Sequence, residues 1–146
     1  MSPLAKTIMV QGTGSHVGKS VLTAALCRVF ARAGYKTAPF KAQNMALNSF
    51  ATPDGGEIGR STAVQAEAAG VEPTVDMNPV LLKPESERSS QVVVLGRPDG
   101  HADSQGYFGR TGKLWPIVTG ALDRLRAEYD VVVIEGAGSP AEINLR

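Results

Sequence analysis

The sequence predicts an α/β protein, a mostly parallel sheet with helices on both faces. Three observations carry that expectation. Runs such as Gln91-Val-Val-Val-Leu95 and Asp130-Val-Val-Val-Ile134 are apolar at consecutive positions, as strands covered on both faces are. They alternate with stretches of helical spacing. The glycine-rich and charged segments follow strands, and parallel sheets gather ligands at the carboxyl ends of their strands.

Taken in order, Thr7–Gln11 is apolar, β-prone and stops at Gly12, so it reads as a buried strand. Gly18–Ala33 follows as a helix, with Val21, Leu22, Ala25, Leu26, Val29 and Phe30 at helical spacing and Gly34 as its stop. Tyr35–Lys41 is a second strand, and Pro39 within it points to a sheet edge or an early end. Residues 42–57 show no period and carry Asn44, Asn48, Pro53, Asp54, Gly55 and Gly56, the composition of a long functional loop. Ile58–Ala69 is an alanine-rich helix ending at Gly70, and Gln91–Leu95 is a strand. Pro116–Tyr129 reads as a helix with proline near its first turn, and Asp130–Ile134 as a further core strand. The chain then runs only to Arg146 without a closing helix, as expected for part of a longer protein.

The bulk composition narrows the class. At 146 residues the chain is one domain or part of one, long enough to bury roughly 70% of its unfolded surface without staples. A net charge of +1 and 20% charged residues give no sign of a nucleic-acid or membrane-surface protein. No apolar run reaches the ~20 residues of a membrane helix, and the amino terminus lacks the pattern of a signal peptide. Cys27 has no second cysteine to pair with. It fits a reducing compartment, so cytoplasm is expected, and it reads as a small packed residue.

The chemistry begins at Gln11-Gly-Thr-Gly-Ser-His-Val-Gly-Lys-Ser20. Phosphate binding needs converging backbone N–H groups, a helix N-terminus and a cation. Gly12, Gly14 and Gly18 allow the tight curvature, and Thr13, Ser15, His16 and Val17 complete the nucleotide-binding loop. Lys19 is placed to reach the outer phosphates of ATP, and Ser20 to offer a hydroxyl to Mg²⁺. The first glycine sits one residue earlier than in the common G-x-x-x-x-G-K-[ST] spacing, with Thr13 where that pattern has glycine.

A phosphoryl-transfer site also needs carboxylates. Glu135 closes an apolar strand and is flanked by Gly136 and Gly138, which suits a metal ligand at a strand end. Asp54 in "PDGGEIGR" is a second candidate, though also an ordinary turn aspartate, and Glu57 competes with it. Glu57 is equally a helix-start charge. Lys41 ends the second strand on the same rim, where it can hold a carboxylate or a transferring phosphate. His16 faces nucleotide or solvent, and His101 lies in a polar loop. Neither has partners at zinc-ligand spacing.

The stretches "MVQGTGSHVGKS", "PFKAQNMALNS", "DGGEIGRS", "QAEAAGVEPTVDMNPVLLKP" and "VVVIEGAGSPAEINL" resemble the amino-terminal half of the cobyric acid synthase family. The resemblance covers nearly the whole chain; it is most specific over 39–84 and weakest over 97–113. It implies a three-layer P-loop NTPase domain similar to dethiobiotin synthetase, whose loop has the same six-residue step between glycines. Residues 1–146 would then be a partial ATP-dependent amide-synthetase domain, without the glutamine amidotransferase domain. The resemblance further implies Ser20, Asp54 and Glu135 as magnesium ligands, with Lys19 and Lys41 serving the phosphates and the acceptor carboxylate. Family members phosphorylate carboxylates of a corrinoid, adenosylcobyrinic acid a,c-diamide, and ammonia released from glutamine then gives the b, d, e and g amides. No cysteine in the chain suits glutamine hydrolysis.

Three other readings stand beside this one. A dethiobiotin-synthetase-type carboxylase shares the loop spacing, but the long "KAQNMALNS" segment argues against it. A partitioning ATPase would carry an extra lysine early in the loop, and 12–17 has none. A nucleotide-binding fragment without turnover is the third.

Overall fold

The computed structural model describes residues 4–86 and 89–138; the stretch 139–146, including the end of the last motif quoted above, lies outside them. Along the chain run β1 (Lys6–Val10), α1 (Lys19–Arg32), β2 (Thr37–Phe40), β3 (Gln43–Met45), β4 (Ser49–Ala51), β5 (Glu57–Gly59) and α2 (Arg60–Ala69). A 3₁₀ turn (Val75–Met77) precedes β6 (Val80–Pro84), β7 (Ser90–Val94), β8 (Arg97–Ala102), α3 (Ser104–Glu128) and β9 (Val131–Glu135).

The central sheet is parallel, in the order β1-β9-β2, and helices cover both its faces. Alternation along β9 shows this directly. Val131 and Val133 pack with Cys27 of α1, while Val132 packs with Ala121 and Leu125 of α3. Val132 and Val133 are fully buried, and each contributes about 1.5–3 kcal/mol by leaving water. The three-layer α/β/α arrangement is therefore as the consecutive valines imply. Strand register sets the site: Val10 lies opposite Glu135 and Phe40 opposite Ile134. The phosphate loop, Lys41 and Glu135 thus leave the sheet at one edge.

Pro39 lies on β2, which pairs with β9 alone among the described strands, and such a strand is where a sheet tolerates proline. β1 departs from expectation. Lys6–Met9 are exposed, with Ile8 at 40% and Met9 at 52%, and only Val10 is buried. β1 pairs with β9 alone among the described strands.

Residues 42–57 are not a single loop. β3 joins β6 in a second sheet, ordered β3-β6-β7-β8, and β4 pairs with β5 in a short hairpin. Strands of three residues are too short to show a period. The Gln91–Leu95 run belongs to that second sheet, with antiparallel neighbours on both sides. Its apolar side packs on Val80, Leu82 and Leu114 instead of joining the parallel core. β6 and β8 were not foreseen at all; β8 is almost wholly exposed and carries His101, whose Nε2 lies 3.2 Å from Glu85.

α3 begins at Ser104, well before the expected start, and contains Pro116 in its interior. Asp103 caps it, accepting from the Gly106 N–H at 2.6 Å. Glycines at 106, 109 and 112 lower helix propensity ahead of Pro116 and hide the first turns from a reading by propensity. α2 ends where expected, with Gly70 left-handed at φ +73°.

Cys27 is fully buried, and burial pushes its thiol up to about 12. Iodoacetamide at pH 8 should leave it unmodified in the native protein and alkylate it completely in denaturant, as read by intact mass. Rapid native labelling would contradict this packing.

Candidate nucleotide and metal site

The loop between β1 and α1 is shaped by close contacts. A Cβ on Gly12 would lie 2.6 Å from Val17 Cγ2 and 3.0 Å from Lys19 Cγ, so only glycine fits. Gly18 turns left-handed at φ +95° to start α1, and His16 is left-handed at φ +60°, a strained state for a side-chain-bearing residue. Lys19, nine-tenths buried at the first position of α1, folds back over the loop. Its Nζ donates to the Gly14 carbonyl at 2.6 Å.

Beneath the loop lies Glu135, the last residue of β9, 3% exposed. Its Oε1 accepts from Ser20 Oγ at 2.8 Å and from Lys41 Nζ at 2.9 Å, and its Oε2 from Gln65 Nε2 at 2.6 Å. Burial alone would raise the pKa of this carboxyl. The hydrogen bonds from Lys41 and Gln65, the Lys41 charge and the Ser20 hydroxyl together hold it below the usual glutamate range. Glu135 is thus an anion at neutral pH, in spite of its burial. Lys41 is fixed from behind as well. Its N–H donates to Met77 O at 2.8 Å, and Asn78 Nδ2 donates to its carbonyl at 3.1 Å.

These groups open onto one cavity of about 610 Å³. Ser15, His16, Gly18, Lys19, Ser20, Lys41 and Glu135 line it, together with Gln43, Asn44 and Met45 of β3. Gly12, Thr13, Gly14 and Val17 shape the loop without lining the cavity. Just past β9, the Gly136 N–H donates to the Val10 carbonyl at 2.9 Å, and the Gln11 side chain packs against this glycine.

Asp54 is the exception among the expected site residues. The structure does not bring it to Ser20 and Glu135. It sits in the turn between β4 and β5, fully exposed, and its carboxylate accepts from Thr52 Oγ1 and from the Gly56 N–H at 3.4 Å. The Thr52 hydroxyl chiefly holds its pKa below the usual range. These bonds are those of a local Asx-type turn. Glu57 is not a helix-start charge either: it pairs with Lys83 of β6 at 2.6 Å.

Two residues that sequence reasoning passed over bear on the site. Asn78 and Gln65 are each 1% exposed. Asn78 also accepts from the Gly59 N–H at 2.9 Å and donates to Val80 O. The available signal was a glutamine on the buried face of an alanine-rich helix, beside Thr62, Ala66 and Ala69. Polarity in a buried stripe demands a partner.

A hydroxyl and a single carboxylate suit magnesium. That ion keeps several waters and takes the rest of its oxygens from phosphates instead of a protein cage. The described residues contain no group of three or more His, Cys, Asp and Glu able to hold a metal. Nor is any described helix long and apolar enough to cross a membrane.

Comparison with known proteins fixes the family. The profile of the CobQ/CobB/MinD/ParA nucleotide binding domain matches residues 8–136. The chain belongs to this family. Within the CobQ/CobB/MinD/ParA group it is similar to the cobyric acid synthase of Sorangium cellulosum, 68% identical over 97% of this chain and 27% of that protein. The cobyric acid synthases of Desulforudis audaxviator (64%, 97% of this chain, 29% of that protein) and Dehalococcoides mccartyi (60%, 100% and 29%) are likewise similar. The chain spans less than a third of the length of these relatives. Membership of a nucleotide-binding family matches a loop in which Lys19 and Ser20 meet Glu135 at one cavity.

Proposed function

We propose that this chain is the ATP-activating part of a cobyric acid synthase. The whole enzyme would amidate the b, d, e and g carboxylates of adenosylcobyrinic acid a,c-diamide, giving adenosylcobyric acid in cobalamin synthesis, with glutamine as the source of ammonia. The observation that carries this reading is the Ser20–Glu135–Lys41 cluster under a phosphate loop, supported by the similarity to cobyric acid synthases.

The chemistry follows from the problem of the acceptor. A carboxylate acylates poorly, because oxide is its leaving group. One of its oxygens therefore attacks the γ-phosphorus of ATP, the bond to the β-phosphate oxygen breaks, and an acyl phosphate and ADP form. Ammonia then attacks the acyl carbon, loses a proton, and phosphate leaves with the C–O bonding pair. Two anions must meet in the first step, and this chain's residues lower that repulsion. Lys19 exchanges the Gly14 carbonyl for phosphate oxygens. Lys41 stands at the strand end where the acceptor carboxylate and the transferring phosphoryl group come together. Ser20 and Glu135 would hold Mg²⁺, which when bound neutralises charge on the β- and γ-phosphates. The proposed ligand set leaves out Asp54, which is held within its own hairpin. The open cavity, floored by Gln43, Asn44 and Met45, offers room for the edge of a large ring system.

The test is an assay of the whole natural protein that carries this chain. It is expected to form corrinoid amides with stoichiometric loss of ATP and glutamine. Turnover of a diamine into a ureido product, with none of the corrinoid, would defeat the proposal.

A further inference from the structure

We propose that Gln65 is a positioning residue of the magnesium–nucleotide site, fixing the Glu135 carboxylate against the start of α1; this rests on the nucleotide reading above. Gln65 lies on α2, far in sequence from both partners, and is 1% exposed. Its Nε2 donates to Glu135 Oε2 at 2.6 Å and to the Ser20 carbonyl at 3.3 Å. One amide nitrogen thereby ties α2 to the end of β9 and to the residue that follows the loop lysine.

The orientation of the amide is decided by its surroundings. Turned over, its oxygen would face a carboxylate oxygen and a carbonyl oxygen, both repulsive. The nitrogen therefore stays between them, and Oε1 is left buried with no hydrogen-bond partner. A buried orphan oxygen is costly and calls for an explanation. Methionine would fill the same space among Thr62, Ala66 and Ala69 without that cost. A neutral amide adds a donor without adding charge. Lysine or arginine here would put a second cation beside Lys41 on one carboxylate, and glutamate would repel it. With Gln65 on Oε2, Oε1 is left to Ser20 and Lys41, both of which line the cavity. Groups that hold a ligand carboxylate in this way tune metal affinity without touching the metal.

The test compares ADP binding by calorimetry in the whole natural protein, once with Mg²⁺ and once with EDTA. For Gln65→Met we expect a native circular-dichroism spectrum, EDTA affinity within twofold of the parent, and a Mg²⁺-dependent gain reduced by about tenfold. Gln65→Asn keeps the amide but is one methylene too short to reach, so the same loss is expected; it decides the question if Gln65→Met does not fold. A merely structural glutamine would move stability and both affinities together. A folded variant with its Mg²⁺ gain intact overturns the proposal. Lys19→Ala is the control for the nucleotide reading: it should lose binding with and without metal, and parental affinity there would overturn that reading instead.

Discussion

Lys41→Ala is expected to lower ATP-dependent turnover by at least a thousandfold while leaving Mg-ADP binding within about tenfold of the parent, on the scale found when a cation that stabilises phosphoryl transfer is removed. The reason lies in where Lys41 sits. Its ammonium is 2.9 Å from a carboxylate that is almost wholly buried, and its own side chain is only 13% exposed. It is also fixed from behind by Met77 and Asn78. A cation held in this way needs no rearrangement when charge builds on a transferring phosphoryl group. The same burial means that truncation leaves Glu135 with one partner fewer, and breaking a buried pair costs about 3–5 kcal/mol. Lys41→Met keeps more of the packing and separates the effects. A thousandfold loss of turnover in a variant that still melts cooperatively assigns the effect to chemistry. Near-parental turnover in a folded Lys41→Met would remove Lys41 from the reaction.

Glu135→Gln should abolish Mg²⁺-dependent nucleotide binding and reduce turnover at least as severely. The substitution conserves volume and the C=O acceptor but deletes the charge. It also places an NH₂ group against Ser20, Lys41 or Gln65, each of which is a donor toward this position. Two losses therefore combine, an anionic ligand and a satisfied donor cluster. Calorimetry with and without Mg²⁺ reads the first, and thermal melting reads the second. Asp54→Ala is the contrast, since the hydrogen bonds of this exposed carboxylate to described residues lie within its hairpin turn. Mg-ADP affinity within threefold of the parent is expected there. A loss as large as that of Glu135→Gln would show that Asp54 is a ligand and that the set built on Ser20 and Glu135 is incomplete.

The difference between these two carboxylates shows how much of the site was legible beforehand. Glu135 was found from local rules: a run of four apolar β-formers, an acid at its end, then glycines. Lys41 was found in the same way, and register confirms that both leave the parallel sheet together. Asp54 lies in a glycine-rich stretch that reads equally as an ordinary turn, and it is a magnesium ligand only by the family resemblance. Yet residues 42–57 carry three short strands of their own, which direct the turn elsewhere. Gln65 escaped notice for the opposite reason. It sits inside a helix whose spacing explained it as one residue among alanines, and its meaning depends on a partner seventy positions away.

What the sequence determined by itself is what short-range physics encodes. Consecutive β-branched residues specify strands for a parallel core, helical spacing specifies what covers them, and Gly12, Gly18, Lys19 and Ser20 specify a loop for phosphate. Tertiary structure decided which charges meet. It moved the Gln91–Leu95 run into a second sheet, kept Asp54 in its hairpin and brought Gln65 under Glu135. The physical reason is range. Periodicity and turn chemistry act over a few residues, whereas the ionisation of a buried carboxylate is settled by three groups, from α1, from the residue after β2 and from α2, that only the folded chain holds within 3 Å.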